Sequence, residues 1–325
     1  MSAIVSTDNR ILVGDVGGTH ARFALVEPSV AGPWSVLQRL DLDERFVTFD
    51  DALRSYLERS GISPIPRRAA IAVAGPVAAG SARFTNRGWD ISEAALRTFG
   101  FERAILINDF AALALAVDLL DPKHLHAIGP QLKGLEGGTI TILGAGTGFG
   151  VSCLARQGDH VVPMATEGGH MGFAPSTDEE VAALQLMWKQ SGRVSVERIL
   201  SGDGLEHLYR TLEQLAGRAA PALTAAQISA AALRKEAGPT AALTLFCAIF
   251  GAVAGDLALA HGARGGVYLA GGIAEKIEPF LMRSPFRQRF EDKGRLSSYV
   301  AAIPTQLIVS PDIALLGAAR SAVVN

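Results

Sequence analysis

Cysteine is scarce in this chain: two in 325 residues, Cys153 and Cys247, far apart and each inside an apolar segment. That spacing excludes CxxC chemistry and a disulfide framework, and it suits a reducing, cytoplasmic compartment. Charge is sparse as well. Lys plus Arg number 30 and Asp plus Glu 32, a formal net charge of −2, and charged residues make up 19% of the chain, where ~25% is usual. Scattered charges in that balance leave no basic footprint for a nucleic acid. The first ten residues show no basic stretch followed by an apolar run, so no secretory signal is expected.

One span, 237–255, is free of charge over nearly the ~20 residues that a bilayer requires. Pro239 lies near its start and Asp256 and His261 follow it. Leu243, Phe246, Cys247, Phe250, Val253, Ala254 and Leu257 recur at helical spacing among small residues. This pattern reads as a helix buried inside a globular protein rather than a membrane span.

Glycine is plentiful, 35 residues in all, so many positions need positive φ or close backbone approach. The length suggests two domains at ~150 residues each. Short Ile, Val and Leu runs alternate with helical patterns from end to end, as in a three-layer α/β protein. Strands are expected over 11–16, 21–26, 35–40, 69–74, 104–107, 139–143, 151–155, 161–165, 266–270 and 306–309. Helices are expected over 48–59, 91–99, 110–119, 178–191, 205–215, 240–260 and 275–283. Asp90 with Glu93 three residues on resembles a capping box. The weakest joint is 120–137.

Two segments repeat each other. ILVGDVGGTHARFALV (11–26) and ITILGAGTGFGVSCLA (140–155) each read as strand, Gly/Thr turn and strand, which suggests a duplicated fold whose two tips face one another across a cleft. A glycine-rich tip exposes successive N–H groups and attracts phosphate oxygens, with Thr19 and Thr147 adding hydroxyls. Turn geometry alone also explains one such tip. Neither tip is a Walker A loop, and Phe149 stands where GxGxxG needs its last glycine. Asp15 suits water-mediated contact with Mg²⁺.

Asn108 and Asp109 close an expected strand and open an expected helix. Capping explains them as readily as catalysis does, but in an α/β sheet ligands gather at the C-terminal ends of strands, where an ionised Asp can accept a proton from an attacking hydroxyl. Glu167 and His170 sit in a Gly-rich loop and Glu197 follows; each alone is weak. Together with Asn108 and Asp109 they mix acceptors and donors as a polyol requires. A metal cluster is the rival reading, yet HExxH and Cys/His zinc spacings are missing.

In order along the chain, GDVGGTHAR (14–22), AVAGPV (72–77), TNRGW (85–89), INDF (107–110), GAGTGFG (144–150), EGGHMGFAP (167–175), ERILSGDGL (197–205) and LAGGI (269–273) resemble the bacterial glucokinases. These belong to the actin, hexokinase and heat-shock ATPase superfamily. The resemblance implies a duplicated ribonuclease H-like α/β fold of the actin/hexokinase type, with two domains flanking a cleft. A small N-terminal domain would span 1–119 plus 311–325, and a large one 120–310. It implies ATP- and Mg²⁺-dependent phosphorylation of glucose by a cytoplasmic homodimer, with no nucleic-acid or membrane partner.

By the same resemblance Asp109 is the base. Gly75, Asn86, Asn108, Asp109, Glu167, His170 and Glu197 surround the sugar. Gly14, Asp15, Val16, Gly17, Gly18 and Thr19 form one phosphate loop and Gly144, Gly146, Thr147 and Gly148 the other. Gly271 and Gly272 wall the nucleotide, and Asp15 serves the metal. His20 and Asp203 depart from the family's usual Asn and Pro. The ROK sugar kinases share the GGT and GGH loops but carry a cysteine-rich zinc motif after the latter; residues 171–175 here contain no cysteine. Kinases of fructose or mannose remain enzyme alternatives. A sugar-responsive regulator would need a helix-turn-helix ahead of residue 11, and an actin-like filament protein has no use for Glu167, His170 and Glu197.

Overall fold

The computed structural model describes residues 9–17, 21–30, 32–42, 46–84, 88–158 and 160–324. The chain divides into two compact units, Met1–His124 with Val161–Ala165 and Ser310–Asn325, and Leu125–His160 with Thr166–Val309.

In the first unit β1 (Ile11–Val16) pairs antiparallel with β2 (Ala21–Glu27), which pairs with β3 (Ser35–Leu42). After α1 (Phe49–Ser60), β4 (Arg68–Val73) lies parallel to β1. A small hairpin, β5 (Ser81–Phe84) with β6 (Trp89–Ser92), and helix α2 (Glu93–Thr98) lead to β7 (Arg103–Asn108), parallel to β4 and followed by α3 (Asp109–Ala116). The sheet order is β3-β2-β1-β4-β7. Ile11, Leu12, Val13, Ala69, Ala70, Ile71 and Val73 are fully buried, because parallel strands covered on both faces need unbroken apolar runs.

The second unit contains β8 (Leu125–Ala127), β9 (Ile140–Ala145), β10 (Phe149–Gln157), the two ends of β11 (His160–Thr166), whose residues 161–165 are counted with the first unit, α4 (Asp178–Ser191), α5 (Gly202–Leu215), α6 (Ala225–Leu233) and α7 (Ala237–His261). Then come β12 (Gly266–Ala270), α8 (Gly272–Lys276), α9 (Glu278–Leu281), α10 (Phe286–Glu291), α11 (Ser297–Ala301) and β13 (Thr305–Ile308). Its sheet runs β11-β10-β9-β12-β13-β8. As in the first unit, the hairpin β9/β10 is antiparallel and β12 lies parallel to both β9 and β13. The repeat seen in the sequence is therefore a repeat of topology.

The charge-free span is the core of the second unit. Phe250 of α7 meets Phe149 and Phe286 edge-on, with ring centroids 5.6 Å away in each case. A Cβ on Gly251 would sit 2.0 Å from the Phe286 carbonyl oxygen, so only glycine admits α10 so close. The last helix, α12 (Ile313–Ser321), returns to the first unit and crosses α3, where a Cβ on Gly317 would lie 1.8 Å from the Ala112 carbonyl oxygen.

Local corrections follow from capping and proline. Asp90 lies in β6, and the cap of α2 is Ser92, whose hydroxyl accepts the Ala95 N–H at 3.0 Å. The helix expected over 91–99 thus begins at Glu93. The one expected over 275–283 is two short helices, because Pro279 offers no N–H to continue the first. Helix α3 begins at Asp109, one residue earlier than expected, and α5 begins at Gly202, since Ser201 accepts the Gly204 N–H. The hairpin β5/β6, β8 and the helices α6, α10, α11 and α12 were not foreseen.

Candidate active site

In the first unit three parallel strands end side by side. Val16, Val73 and Asn108 are in register across β1, β4 and β7, so Asp15, Gly17, Gly75 and Asp109 all lie at the C-terminal edge of the sheet, where α/β proteins bind ligands. Asn108 is the N-cap of α3. Its Oδ1 accepts the Ala111 N–H at 3.1 Å, while its Nδ2 donates to the Gly75 carbonyl at 3.2 Å and to Asp109 Oδ1 at 3.1 Å. An amide makes at most four hydrogen bonds, so among the described residues Asn108 retains one lone pair on Oδ1. Asp109 Oδ1 also accepts the Phe110 N–H at 2.9 Å, which orients the carboxylate at the start of the helix. Gly75 has φ 139°, a conformation that favours glycine.

Asp15 stands opposite Arg22 in the β1/β2 hairpin. Burial pushes its carboxyl above the ordinary range, and the Arg22 guanidinium 3.6 Å away opposes that shift. Charges continue across the sheet face: Arg22 to Asp41 at 3.8 Å, Asp41 to Arg39 at 3.0 Å, and Arg39 to Asp312 at 2.8 Å. No sequence pattern signalled this chain of alternating charge. The missing Cβ of Gly14 would meet Ile71 at 2.8 Å and Phe23 at 3.1 Å, so that glycine serves core packing, and only its backbone is available to a phosphate. Gly18, Thr19 and Asn86 lie outside the described residues.

In the second unit the loop after β9 carries Gly146, Thr147 and Gly148. Gly146 donates its N–H to the Gly148 carbonyl at 2.8 Å and accepts the Gly202 N–H at 2.9 Å, which fixes the loop against the start of α5. Gly144 pairs with Gly150 inside the β9/β10 ladder. Gly271 follows β12 with φ 92°, and Gly272 opens α8.

Glu167, His170 and Glu197 are brought together. Residues 168–170 form a short 3-10 turn pressed against β10, and a Cβ on Gly169 would lie 2.1 Å from the Phe149 carbonyl oxygen. His170 Nε2 is 4.0 Å from Glu167 Oε2, both side chains being exposed. The segment after the turn is zipped to the segment before Glu197: Glu197 N–H donates to the Gly169 carbonyl, Val196 N–H to that of Met171, and Phe173 N–H to that of Val194. Glu197 Oε2 accepts the Phe149 N–H at 2.8 Å.

Thr147, His170 and Glu197 line one cavity of about 430 Å³, together with Arg193, Arg198 and His207, which the sequence had not singled out. A second cavity, about 400 Å³, lies at the opposite ends of β9 and β12 beside Lys133, Arg264 and Tyr299 and holds none of the residues named above. Among the described residues no three His, Cys, Asp or Glu side chains gather as a metal cluster. Asp15 fits Mg²⁺ nonetheless, because that ion takes one or two carboxylates and otherwise keeps water and phosphate oxygens.

Two sheets that share an order over five strands, each with a glycine loop after its first parallel strand, define a duplicated α/β fold of the actin/hexokinase type. The glucokinase family model matches residues 12–324. A glucokinase of Caulobacter vibrioides (strain NA1000 / CB15N) is 49% identical over 311 residues, covering 95% of this chain and 93% of its own. One of Stenotrophomonas maltophilia (strain K279a) is 40% identical, covering 96% of this chain and 94% of its own. The crystal structure of a glucokinase from an Antarctic psychrotroph superimposes with a TM-score of 0.90 at 37% identity, covering 98% of this chain and 99% of that one. The chain belongs to the glucokinase family.

Proposed function

We propose that this enzyme transfers the γ-phosphoryl group of ATP to the 6-hydroxyl of D-glucose, giving glucose 6-phosphate and ADP. The observation that carries the reading is Asp109 at the first position of α3, with one oxygen fixed by the Phe110 N–H and the Asn108 amide, at the same sheet edge as Asp15.

In this reading Asp109 accepts the proton of the 6-hydroxyl as that oxygen bonds to the γ-phosphorus, and the bond to the β,γ-bridging oxygen breaks to release ADP. Phosphoryl transfer asks little covalent chemistry of the protein, so positioning and charge neutralisation carry the rate. Phosphate oxygens are served by backbone N–H groups beyond the ladders, at residues 17–19 and 147–148, because Gly14, Asp15, Val16 and Gly144 are paired inside their sheets and Gly146 donates to Gly148. Gly271 and Gly272 wall the nucleotide. Glu167, His170 and Glu197, with Gly75 and Asn86, serve the sugar hydroxyls, and Asn108 serves as an acceptor through its remaining lone pair. Asp15 would hold Mg²⁺, which would supply positive charge to the phosphates.

Two buried free thiols, Cys153 and Cys247, suit a cytoplasmic enzyme. The family resemblance gives a homodimer, which light scattering checks directly. A coupled turnover assay over glucose, mannose and fructose tests the reaction. Glucose is expected to give the highest kcat/KM; a value about tenfold higher for fructose or mannose, some 1.4 kcal/mol of transition-state preference, would overturn the substrate assignment.

A further inference from the structure

The carbonyls of Gly169 and Met171 are taken by the backbone N–H groups of Glu197 and Val196. The carbonyl between them, on His170, is taken by a side chain: Arg193 Nη2 donates to it at 2.6 Å. A charged donor makes this one of the stronger bonds in the turn. Arg193 also lines the cavity shared by His170, Glu197 and Thr147. The 3-10 turn is only three residues long, and poor intrinsic hydrogen-bond geometry makes such turns dependent on outside support.

We infer that Arg193 is a positioning residue for the sugar: its guanidinium fixes the His170 turn and thereby sets the affinity for the hexose without touching the phosphoryl donor. This rests on the glucokinase reading. A preorganised imidazole costs less ordering when the sugar binds, so the effect belongs in sugar binding rather than in chemistry.

The test uses the full chain with Arg193→Ala and Arg193→Lys, read by glucose KM, ATP KM, kcat and glucose titration calorimetry. Arg193→Ala is expected to raise glucose KM and Kd about tenfold, the scale of one hydrogen bond from a charged donor. ATP KM and kcat should stay within about twofold. Arg193→Lys, which keeps a charged donor, should recover most of the loss. In a His170→Ala background Arg193→Ala should add little, because the two residues act as one unit.

Unchanged glucose affinity in a folded Arg193→Ala protein overturns the inference. So do a fall in kcat at constant KM, failure of Lys to recover the loss, and full additivity with His170→Ala. If the wild-type chain prefers another hexose, the same series is read with that hexose and the same pattern is expected. A wild-type chain that phosphorylates no hexose overturns the underlying reading, and this inference with it.

Discussion

Glu197 Oε2 accepts the backbone N–H of Phe149 at 2.8 Å, tying a carboxylate that we propose serves the sugar to the residue that follows the second glycine loop. A Cβ on Gly148 would lie 2.5 Å from the same oxygen, so a larger residue there would displace the Glu197 carboxylate from the Phe149 N–H. Behind it, the Phe149 ring packs edge-on against Phe250 of α7, so core, glycine loop and Glu197 form one continuous stack.

Glu197→Gln and Glu197→Ala should therefore differ. The amide oxygen of Gln still accepts the Phe149 N–H, so glucose KM should rise by about one to two decades, the value of a charge-assisted bond, with ATP KM nearly unchanged. Ala releases the loop as well, and ATP KM should rise with it. Equal ATP KM in the two variants would show that the Phe149 bond does not hold the phosphate loop.

Asp109→Asn should fold normally, because the cap of α3 is Asn108 and not Asp109. An amide cannot take the hydroxyl proton, so kcat should fall by ~10² to 10⁴ while glucose binding remains measurable. Thermal denaturation, glucose titration and a coupled assay on the purified variant separate a base from a structural residue. Retention of more than about a tenth of the wild-type kcat would refute the assignment.

The Asp15 carboxyl is held above its ordinary value of 3.8 chiefly by burial. The folded chain thus binds that proton more tightly than the unfolded chain, and the group costs stability as pH rises from 3.8 through the raised value. Asp15→Asn should melt at or above the wild-type temperature at neutral pH, with the gap closing toward pH ~4 where the acid is protonated. Its turnover should fall on the order of 10²-fold, as expected for loss of one preorganised electrostatic group. A variant less stable than wild type at neutral pH would contradict the burial account.

Glu180 of α4 is fully buried and stands 2.9 Å from Arg289 of α10. Removing the cation with Arg289→Met strands a buried carboxylate and should cost ~3–5 kcal/mol of unfolding free energy. Adding Glu180→Leu to that variant should restore much of the loss. Denaturant titration of the single and double variants checks both, and an additive double variant would mean the pair does not interact.

Much of the frame was legible before the fold was known. Unbroken apolar runs marked β1, β4 and β12, and the small residues of α7 marked a buried helix, because burial on every side leaves no polar period in the sequence. Repetition of the strand–glycine–strand pattern showed the duplication that the two sheet orders confirm. Short elements were hidden: β5 and β6, four residues each, have no period long enough to read and exist because they pair with each other. Asp90 looked like a cap in the sequence, but it lies in that hairpin, and Ser92 took the role.

The sequence by itself determined which residue types stand at the strand ends and loops: Asp15, Asn108, Asp109, Glu167, His170 and Glu197. Only the tertiary structure decided how they are held. Arg193 reaches the His170 carbonyl across 23 positions and Glu197 the Phe149 N–H across 48. Periodicity and turn chemistry act over a few residues, and a backbone N–H or carbonyl carries no residue identity. A bond from a side chain to distant backbone therefore leaves no trace in the order of amino acids until the chain has folded.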